Sequence, residues 1–453
     1  MAKSTTKDMT EGSPSRLMLG FFFPMLFGML FQQFYNMMDT IIVGKYLGVQ
    51  ALAAVGSTGS INFMIIGFCM GVCNGFAIPV AQKFGEKNFP MLRRFVANGA
   101  WLSLGFAAVM TVAVCVLCRP ILQWMNTPED IIDGAYRYIF VIFLGIPATY
   151  LYNMVSGIIR SLGDSRTPLI FLILSSILNI LLDLFMILVL HMGEEGAAIA
   201  TVIAQAVSGV CCLIFMIKRF ELLCMTKEEA KPDRDILLAL CNMGVPMGLQ
   251  YSITAIGSVV LQTAVNGLGS MAVAAVTAGT KISMFFCCPF DALGSTMATY
   301  GGQNIGARKL DRISRGLKAA SVMGCVYAVF ALGVLFVFGR QISLLFLDRG
   351  QTEILGQVQM FLIGNSLFYI PLAFVNIVRF LIQGMGYSKL AVLAGVCEMA
   401  ARAFVGFCLV PVLGYAAVCF ASPAAWIAAD AFLIPSYIRI MKKLKAMPGY
   451  QCG

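Results

Sequence analysis

Four polar side chains inside long apolar stretches are the first candidates for chemistry in this sequence. They are Asp39, Asn179, Asp183 and Thr201. An ionisable side chain in a membrane span costs about 2.5–3.5 kcal/mol to insert, so it is a functional candidate by default. Two carboxylates, an amide and a hydroxyl offer oxygen ligands for a small cation or an acceptor for a proton. The set predicts a cation or proton site, and the alternative is a hydrogen-bond network that only packs helices.

Further polar residues recur at helical spacing from this set. We predict that these residues, together with Asn153 in a different predicted span, line a substrate cavity: Gln32, Tyr35, Asn36, Asn153 and Gln205. The first three precede Asp39 by seven, four and three residues, and the last follows Thr201 by four. Residues at these separations share one face of a helix. Polar groups facing lipid are costly, so the stripes should point into a helix bundle.

The second half of the chain carries a different set of charges. Glu398 and Arg402 are four residues apart and are predicted to form a structural ion pair. Arg379 and Asp430 lie near the ends of apolar stretches, where they could snorkel to the membrane surface. The sequence identifies no partner and no role for Lys281, Asp291, Arg379 and Asp430.

The elements that must position these residues are membrane-spanning helices. Of the 453 residues, 59% are hydrophobic and 12% charged, against about 25% charged in soluble domains. This excludes an ordinary cytosolic protein. Since a span needs about 20 apolar residues, we predict an all-α polytopic membrane protein with twelve transmembrane helices. The predicted spans are 17–43, 52–82, 95–117, 135–159, 168–190, 196–217, 236–263, 272–300, 318–339, 355–383, 390–411 and 414–438.

The distribution of basic residues predicts the orientation of the chain. If the N-terminus is cytoplasmic, 24 of the 32 Lys and Arg residues fall in inner segments, five in outer segments and three within spans. Inner loops of membrane proteins are enriched in Lys and Arg. Both termini are therefore predicted to be cytoplasmic. The net charge of +10 is explained by this bias and needs no nucleic-acid partner.

An internal repeat divides the chain into two halves. Residues 47–55 (LGVQALAAV) match 268–276 (LGSMAVAAV) at six of nine positions. Pro24 and Pro246, QKFG and QNIG, and GDS and GYS keep a spacing of 221–223 residues. Because six is even, the halves are predicted to be parallel six-helix repeats. The predicted parts are a cytoplasmic tail 1–16, a lobe 17–217, a cytoplasmic linker 218–235, a lobe 236–441 and a tail 442–453.

These motifs resemble the multidrug and toxic compound extrusion (MATE) family. The first half carries QQFYNMMDTIIVGKYLG, LAAVG, AQKFGEKN, IIRSLGDSRTP, NILLDLFMIL and GAAIATVIAQ, and the second carries GQNIGARK and QGMGYSK. The resemblance covers about residues 15–440 and implies a MATE-like two-lobe fold. It also implies that the cation site of the first lobe uses Asp39, Asn179, Asp183 and Thr201. One branch of the family has a Glu shortly after the Pro of the seventh helix, but MGLQYSITAIG follows Pro246 here.

The resemblance implies a secondary antiporter rather than an enzyme. It would export organic, often cationic, drugs or metabolites across the cell membrane in exchange for H⁺ or Na⁺, by alternating access. The alternatives are a flippase for lipid-linked saccharides and, from another class, an intramembrane enzyme. We expect a monomer in membrane lipid, a small organic substrate and no cofactor. No metal is expected beyond Na⁺ at the coupling site, because the lone CxxC of Cys115 and Cys118 lacks further ligands.

Overall fold

The computed structural model describes residues 6–125, 127–345, 347 and 350–447. Among them are sixteen α-helices, many of them continuous through a predicted span. The helices are α1 (Pro14–Tyr46), α2 (Val49–Ser57), α3 (Gly59–Gly85), α4 (Phe89–Trp124), α5 (Ile132–Leu144), α6 (Ile146–Ser161), α7 (Arg166–Leu184), α8 (Glu194–Arg219), α9 (Arg234–Asn266), α10 (Ser270–Gly306), α11 (Leu310–Ser343), α12 (Thr352–Ser366), α13 (Tyr369–Gly384), α14 (Ser388–Phe404), α15 (Val410–Leu413) and α16 (Tyr415–Lys445).

The membrane crossings follow the predicted spans. Ten helical segments in the described part of the chain are long and apolar enough to cross a membrane. Two further crossings are bent pairs, α5 with α6 at 45° and α12 with α13 at 51°. Pro147 and Pro371 lie in the first turn of the second helix in each pair, where proline has no N–H to continue the hydrogen-bond pattern of the preceding helix and so favours a break. Counting each pair as one span gives twelve, which confirms the predicted all-α fold.

The described residues form two compact units. Unit 1 comprises residues 6–8 with Phe27–Gly248, and unit 2 comprises Met9–Leu26 with residues 249–447. The units therefore divide inside α1 and α9, shortly after Pro24 and Pro246. The lobe limits drawn from the sequence, 17–217 and 236–441, follow the polar linker instead and remain a prediction. Residues 1–5 and 448–453 of the predicted tails lie outside the described residues, as does Arg349, one of the five basic residues counted in outer segments.

Backbone geometry repeats along the chain as the sequence motifs do. Apart from Gly12, the described residues with positive φ occur in four pairs that are 221–223 positions apart: Gly48 and Gly269, Lys87 and Arg308, Gly163 and Gly386, and His191 and Gly414. The left-handed conformation is sterically costly except for glycine. Its recurrence at matching positions shows that the two halves share their turns as well as their motifs.

Helices α3 and α9 cross closely within unit 1. Each carries two glycines four residues apart, Gly71 and Gly75 on α3 and Gly244 and Gly248 on α9. A Cβ built on Gly75 would lie 2.4 Å from the Cα of Gly244, and one on Gly71 would lie 2.6 Å from the carbonyl oxygen of Met247. Such spacing lets two backbones approach in a membrane, where helix association depends on close packing. This crossing holds the first part of α9 against α3.

The connection between α8 and α9 is held against α4 in unit 1. Arg93 donates two hydrogen bonds to Glu229, from Nε to Oε2 at 2.9 Å and from Nη2 to Oε1 at 2.7 Å. Trp101 Nε1 donates to the Ala230 carbonyl at 3.0 Å. The Arg93 guanidinium and the backbone N–H of Thr226 lower the pKa of the Glu229 carboxyl from 4.5 to about 2. The polar linker is thus an ordered part of unit 1 in the described chain.

Candidate functional site

Helix α7 presents two of the predicted site residues on one face. Asn179 and Asp183 are four residues apart, and their side chains are 2% and 0% exposed. Immediately after Leu184 the helix widens into a π-helical segment, Phe185–Val189. Short π-helical segments inside α-helices occur frequently at functional sites. The segment directly follows the turn that carries Asp183.

Helix α8 fixes the orientation of the Asn179 amide. Asn179 Nδ2 donates to Thr201 Oγ1 at 3.2 Å, and Thr201 Oγ1 donates to the Ala197 carbonyl at 3.1 Å. Because the amide nitrogen donates to Thr201, Asn179 Oδ1 is the amide atom that is available to a proton donor or a cation. It has no hydrogen-bond donor among the described residues. Thr201 therefore positions an acceptor oxygen beside Asp183.

Helix α1 adds the second carboxylate. The side chains of Asp39 and Asp183 lie within reach of a shared hydrogen bond. Within the described chain, no donor satisfies Asp39 Oδ1 or either carboxylate oxygen of Asp183. Buried acceptors without donors are costly, and two close carboxylates repel one another. A proton shared by the pair, or a small cation bound to these oxygens, would remove both penalties.

Two tyrosines that the sequence analysis did not single out complete the surroundings. Tyr138 on α5 is 7% exposed and lies close enough to interact electrostatically with Asp39, Asp183 and Tyr35. Tyr152 on α6 lies near Tyr35. The available signal was a phenol within an apolar span, because a buried tyrosine hydroxyl usually needs a polar partner.

Three of the five predicted cavity residues contact the surroundings of the carboxylate pair. Tyr35 lies near Asp39 and Asp183 and hydrogen bonds to Gln205. Gln205 Oε1 also accepts from Thr149 Oγ1 at 2.9 Å, and Asn153 Nδ2 donates to the Thr149 carbonyl at 2.8 Å. Tyr35 and Gln205 thus connect to the carboxylate pair, and Asn153 connects through Thr149.

The other two predicted cavity residues form no side-chain hydrogen bond with this network among the described residues. Gln32 is half-buried and Asn36 is exposed. Among the described contacts, neither side chain hydrogen bonds to the carboxylate pair. Their predicted role in a substrate cavity remains a prediction.

Unit 2 contains a buried ionic cluster. Arg379 on α13 donates to Glu398 on α14, and Arg402 Nη2 lies 3.7 Å from Glu398 Oε2. Arg379, Glu398 and Arg402 are 6%, 4% and 8% exposed. Asp291 and Asp430 both lie close enough to Arg379 to interact with it electrostatically. Arg379 is therefore buried rather than snorkelling to the membrane surface, the option that the sequence had left open, because tertiary packing supplies a carboxylate from the next helix.

Comparison with known proteins identifies the family. The MatE family model matches residues 24–185 and 246–408, two segments that begin 222 residues apart. The chain is similar to the "Probable multidrug resistance protein YoeA" of Bacillus subtilis, with 28% identity over 354 residues, 77% of this chain and 76% of the relative. It is also similar to an "FAD transporter" of Shewanella oneidensis, with 24% identity over 370 residues and 80% of each chain.

A solved structure has the same fold. It is described as the outward-facing conformation of a multidrug resistance MATE family transporter of the MOP superfamily. Its TM-score is 0.92 at 22% identity, over 99% of this chain and 100% of the other. The chain therefore belongs to the MatE family, and it is a multi-pass membrane transporter rather than an enzyme. Transporters of this family need no cofactor.

Proposed function

We propose that this protein is a secondary antiporter that exports small organic cations in exchange for H⁺ or Na⁺. The observation that carries the proposal is the Asp39–Asp183 carboxylate pair, with the oriented oxygen of Asn179 beside it. The names of relatives such as the multidrug resistance protein of B. subtilis support export of organic compounds. Alternating access of a central site to the two membrane surfaces is the usual transport cycle of repeat-built carriers.

The carboxylate pair explains how ion and substrate would exchange. Without a bound ion, the pair carries negative charge that attracts a cationic substrate to the surface formed by Tyr35 and Gln205. A proton or Na⁺ on the pair removes that charge and weakens substrate binding. A coupling of about 1–3 kcal/mol between two ligands is typical of such linkage. Thr201 and Asn179 act as positioning groups for the ion.

The coupling site is assigned to unit 1. The segment after Pro246, MGLQYSITAIG, contains no carboxylate. The ionic cluster of unit 2 already balances Glu398 with Arg379 and Arg402. We further propose that the protein resides in the cell membrane as a monomer, with both termini in the cytoplasm.

Transport by purified protein in proteoliposomes tests this function. A fluorescent organic cation is the probe, and pH and Na⁺ gradients are imposed separately. We expect one of the two gradients to drive transport. Asp39→Asn and Asp183→Asn should abolish gradient-driven transport, because neither variant can form the charged pair. FAD, the anionic cargo in the name of one relative, serves as a probe of the opposite charge.

The matched control is Asp133→Asn. Asp133 is 75% exposed and pairs with Arg119 at 3.2 Å, so its replacement should leave transport unchanged. Size-exclusion profiles establish that each variant is folded. If both carboxylate variants keep wild-type transport, coupling at this pair must be abandoned. If FAD is exported in place of the cation, the proposed substrate class is wrong.

A further inference from the structure

A groove separate from the carboxylate site lies on the surface of unit 1 between α7 and α8. Its volume is about 360 Å³, and it is lined by Phe171, Cys211, Ile214, Phe215, Lys218 and Arg219. The rings of Phe171 and Phe215 pack edge to face with centroids 5.7 Å apart. Ser208 Oγ donates to the Phe171 carbonyl at 2.7 Å and joins the two helices at one end of the groove.

The groove runs from the apolar part of the helices to their ends. Helices α7 and α8 are antiparallel neighbours joined by a short connection, so the start of α7 and the end of α8 lie at the same membrane surface. Cys211 and Arg219 are eight residues apart, or about 12 Å along α8. The apolar walls therefore lie at acyl-chain depth, and the basic residues lie at the level of lipid headgroups.

The two basic residues at the end of the groove are available to a ligand. Lys218 and Arg219 are exposed, and neither pairs with a carboxylate among the described residues. Cations in the last turn of a helix also complement its dipole, but that effect needs no adjoining groove. Here the apolar cavity continues directly from the two cations, and Ile214 within it is 47% exposed.

We propose that this groove binds one anionic diacyl phospholipid. The headgroup phosphate would contact Lys218 and Arg219, and an acyl chain would lie along Phe171, Ile214 and Phe215. Charge complementarity selects an anionic headgroup, since basic pockets between transmembrane helices bind anionic lipid headgroups. The apolar cavity selects a chain-bearing lipid over a free phosphate. The bound lipid would pack against α7 and α8, the helices that carry Asn179, Asp183 and Thr201.

Native mass spectrometry of the delipidated full chain tests the proposal. Phosphatidylglycerol, phosphatidylcholine with the same chains, and glycerol phosphate are titrated in turn. We expect one tight phosphatidylglycerol adduct, with weaker phosphatidylcholine binding and none of the chain-free compound. The double variant Lys218→Ala, Arg219→Ala should weaken that adduct about tenfold or more. Cys211→Trp, which fills the groove and keeps both charges, should also weaken it.

The matched control removes two basic residues at another helix end. Lys442→Ala with Lys443→Ala lowers the net charge by the same amount at exposed positions of α16 and should leave the tight adduct intact. Unfolding temperatures without lipid separate a folding defect from a loss of binding. If the two double variants lose the phosphatidylglycerol adduct to the same extent, binding depends on the net charge alone and the proposed site is wrong. Equal binding of phosphatidylcholine, or of glycerol phosphate alone, would also overturn it.

Discussion

Glu398 contacts two buried arginines of unit 2 directly, and among the described residues no other carboxylate forms an ion pair with either of them. Arg379 donates to one of its oxygens, and Arg402 lies 3.7 Å from the other. In the described chain, Arg379 Nε and Arg402 Nη1 have no hydrogen-bond partner. No hydrogen bond at these two atoms can therefore compensate for the loss of Glu398. Losing one member of a buried ion pair leaves an uncompensated charge, which costs about 3–5 kcal/mol.

The loss of stability should depend on which residue of the ionic cluster is replaced. Glu398→Gln leaves two guanidinium groups without their carboxylate and should lower stability by about 3–5 kcal/mol. Arg402→Leu removes only the longer contact and should cost less. Replacing Glu398 and Arg402 together by leucine should not fully restore stability, because Arg379 stays buried without the carboxylate to which it donates. Thermal unfolding in detergent measures this order.

The exposed ion pair of Arg119 and Asp133 provides the control for these variants. Asp133→Asn should change stability by less than about 1 kcal/mol, as exposed ion pairs contribute little. A double leucine variant as stable as wild type would show that Glu398 and Arg402 neutralise only each other. The contact with Arg379 would then contribute nothing to stability.

At the scale of elements, the crossing of α3 and α9 depends on glycine. Pro246 lies between Gly244 and Gly248, so the helix lacks a backbone hydrogen bond there. The two glycines allow the helices to approach closely at the same place. The sequence showed both glycine pairs, but spacing alone did not identify which helices meet. Packing in unit 1 decided that α3 and α9 are partners.

Gly75→Ala should destabilise the protein. The new methyl group would lie 2.4 Å from the Gly244 Cα, so the helices must separate, and overpacking of this kind costs about 1–3 kcal/mol. Gly105→Ala on α4 is the matched control, because nothing lies within 4 Å of its Cβ position. That variant should be neutral or slightly stabilising, since alanine favours helix over glycine. Equal unfolding temperatures for the two variants would refute the close crossing.

At the scale of the whole molecule, the repeat relates the two candidate charge clusters. The π-helical segment Phe185–Val189 has a counterpart at Val405–Leu409. Asn179 and Asp183 lie six and two residues before the first segment, and Glu398 and Arg402 lie seven and three before the second. Nearly equivalent turns thus carry an acid–amide pair in one half and an ion pair in the other. This is consistent with different roles for the two halves.

The proposed orientation is tested by cysteine labelling in intact cells. In a cysteine-free background, Glu228→Cys should react with an impermeant thiol reagent only after the cells are opened. Glu228 suits this use because its side chain is 79% exposed, whereas the neighbouring Glu229 is 13% exposed and pairs with Arg93. Asp130→Cys, on the opposite side of the predicted membrane, should react from outside. The reverse pattern would place both termini outside the cell.

Much of the fold could be predicted from the sequence because the membrane restricts the choices. Every backbone polar group in lipid must be satisfied within a helix, so apolar run length gave the spans and their number. The repeat spacing in the sequence recurs in the paired positive-φ residues. The breaks before Pro147 and Pro371 did not follow from hydropathy, since a bent span has the same composition as a straight one.

The sequence by itself determined that Asp39, Asn179, Asp183 and Thr201 are costly polar groups in apolar helices. It also determined the helical faces on which their polar neighbours lie. Only the tertiary structure decided that Asp39 meets Asp183, that Thr201 orients Asn179, and that Tyr138 joins them. It likewise paired Arg379 with Glu398 across two helices. Helical periodicity fixes contacts within a helix, whereas contacts between helices depend on crossing positions and rotations that local sequence does not encode.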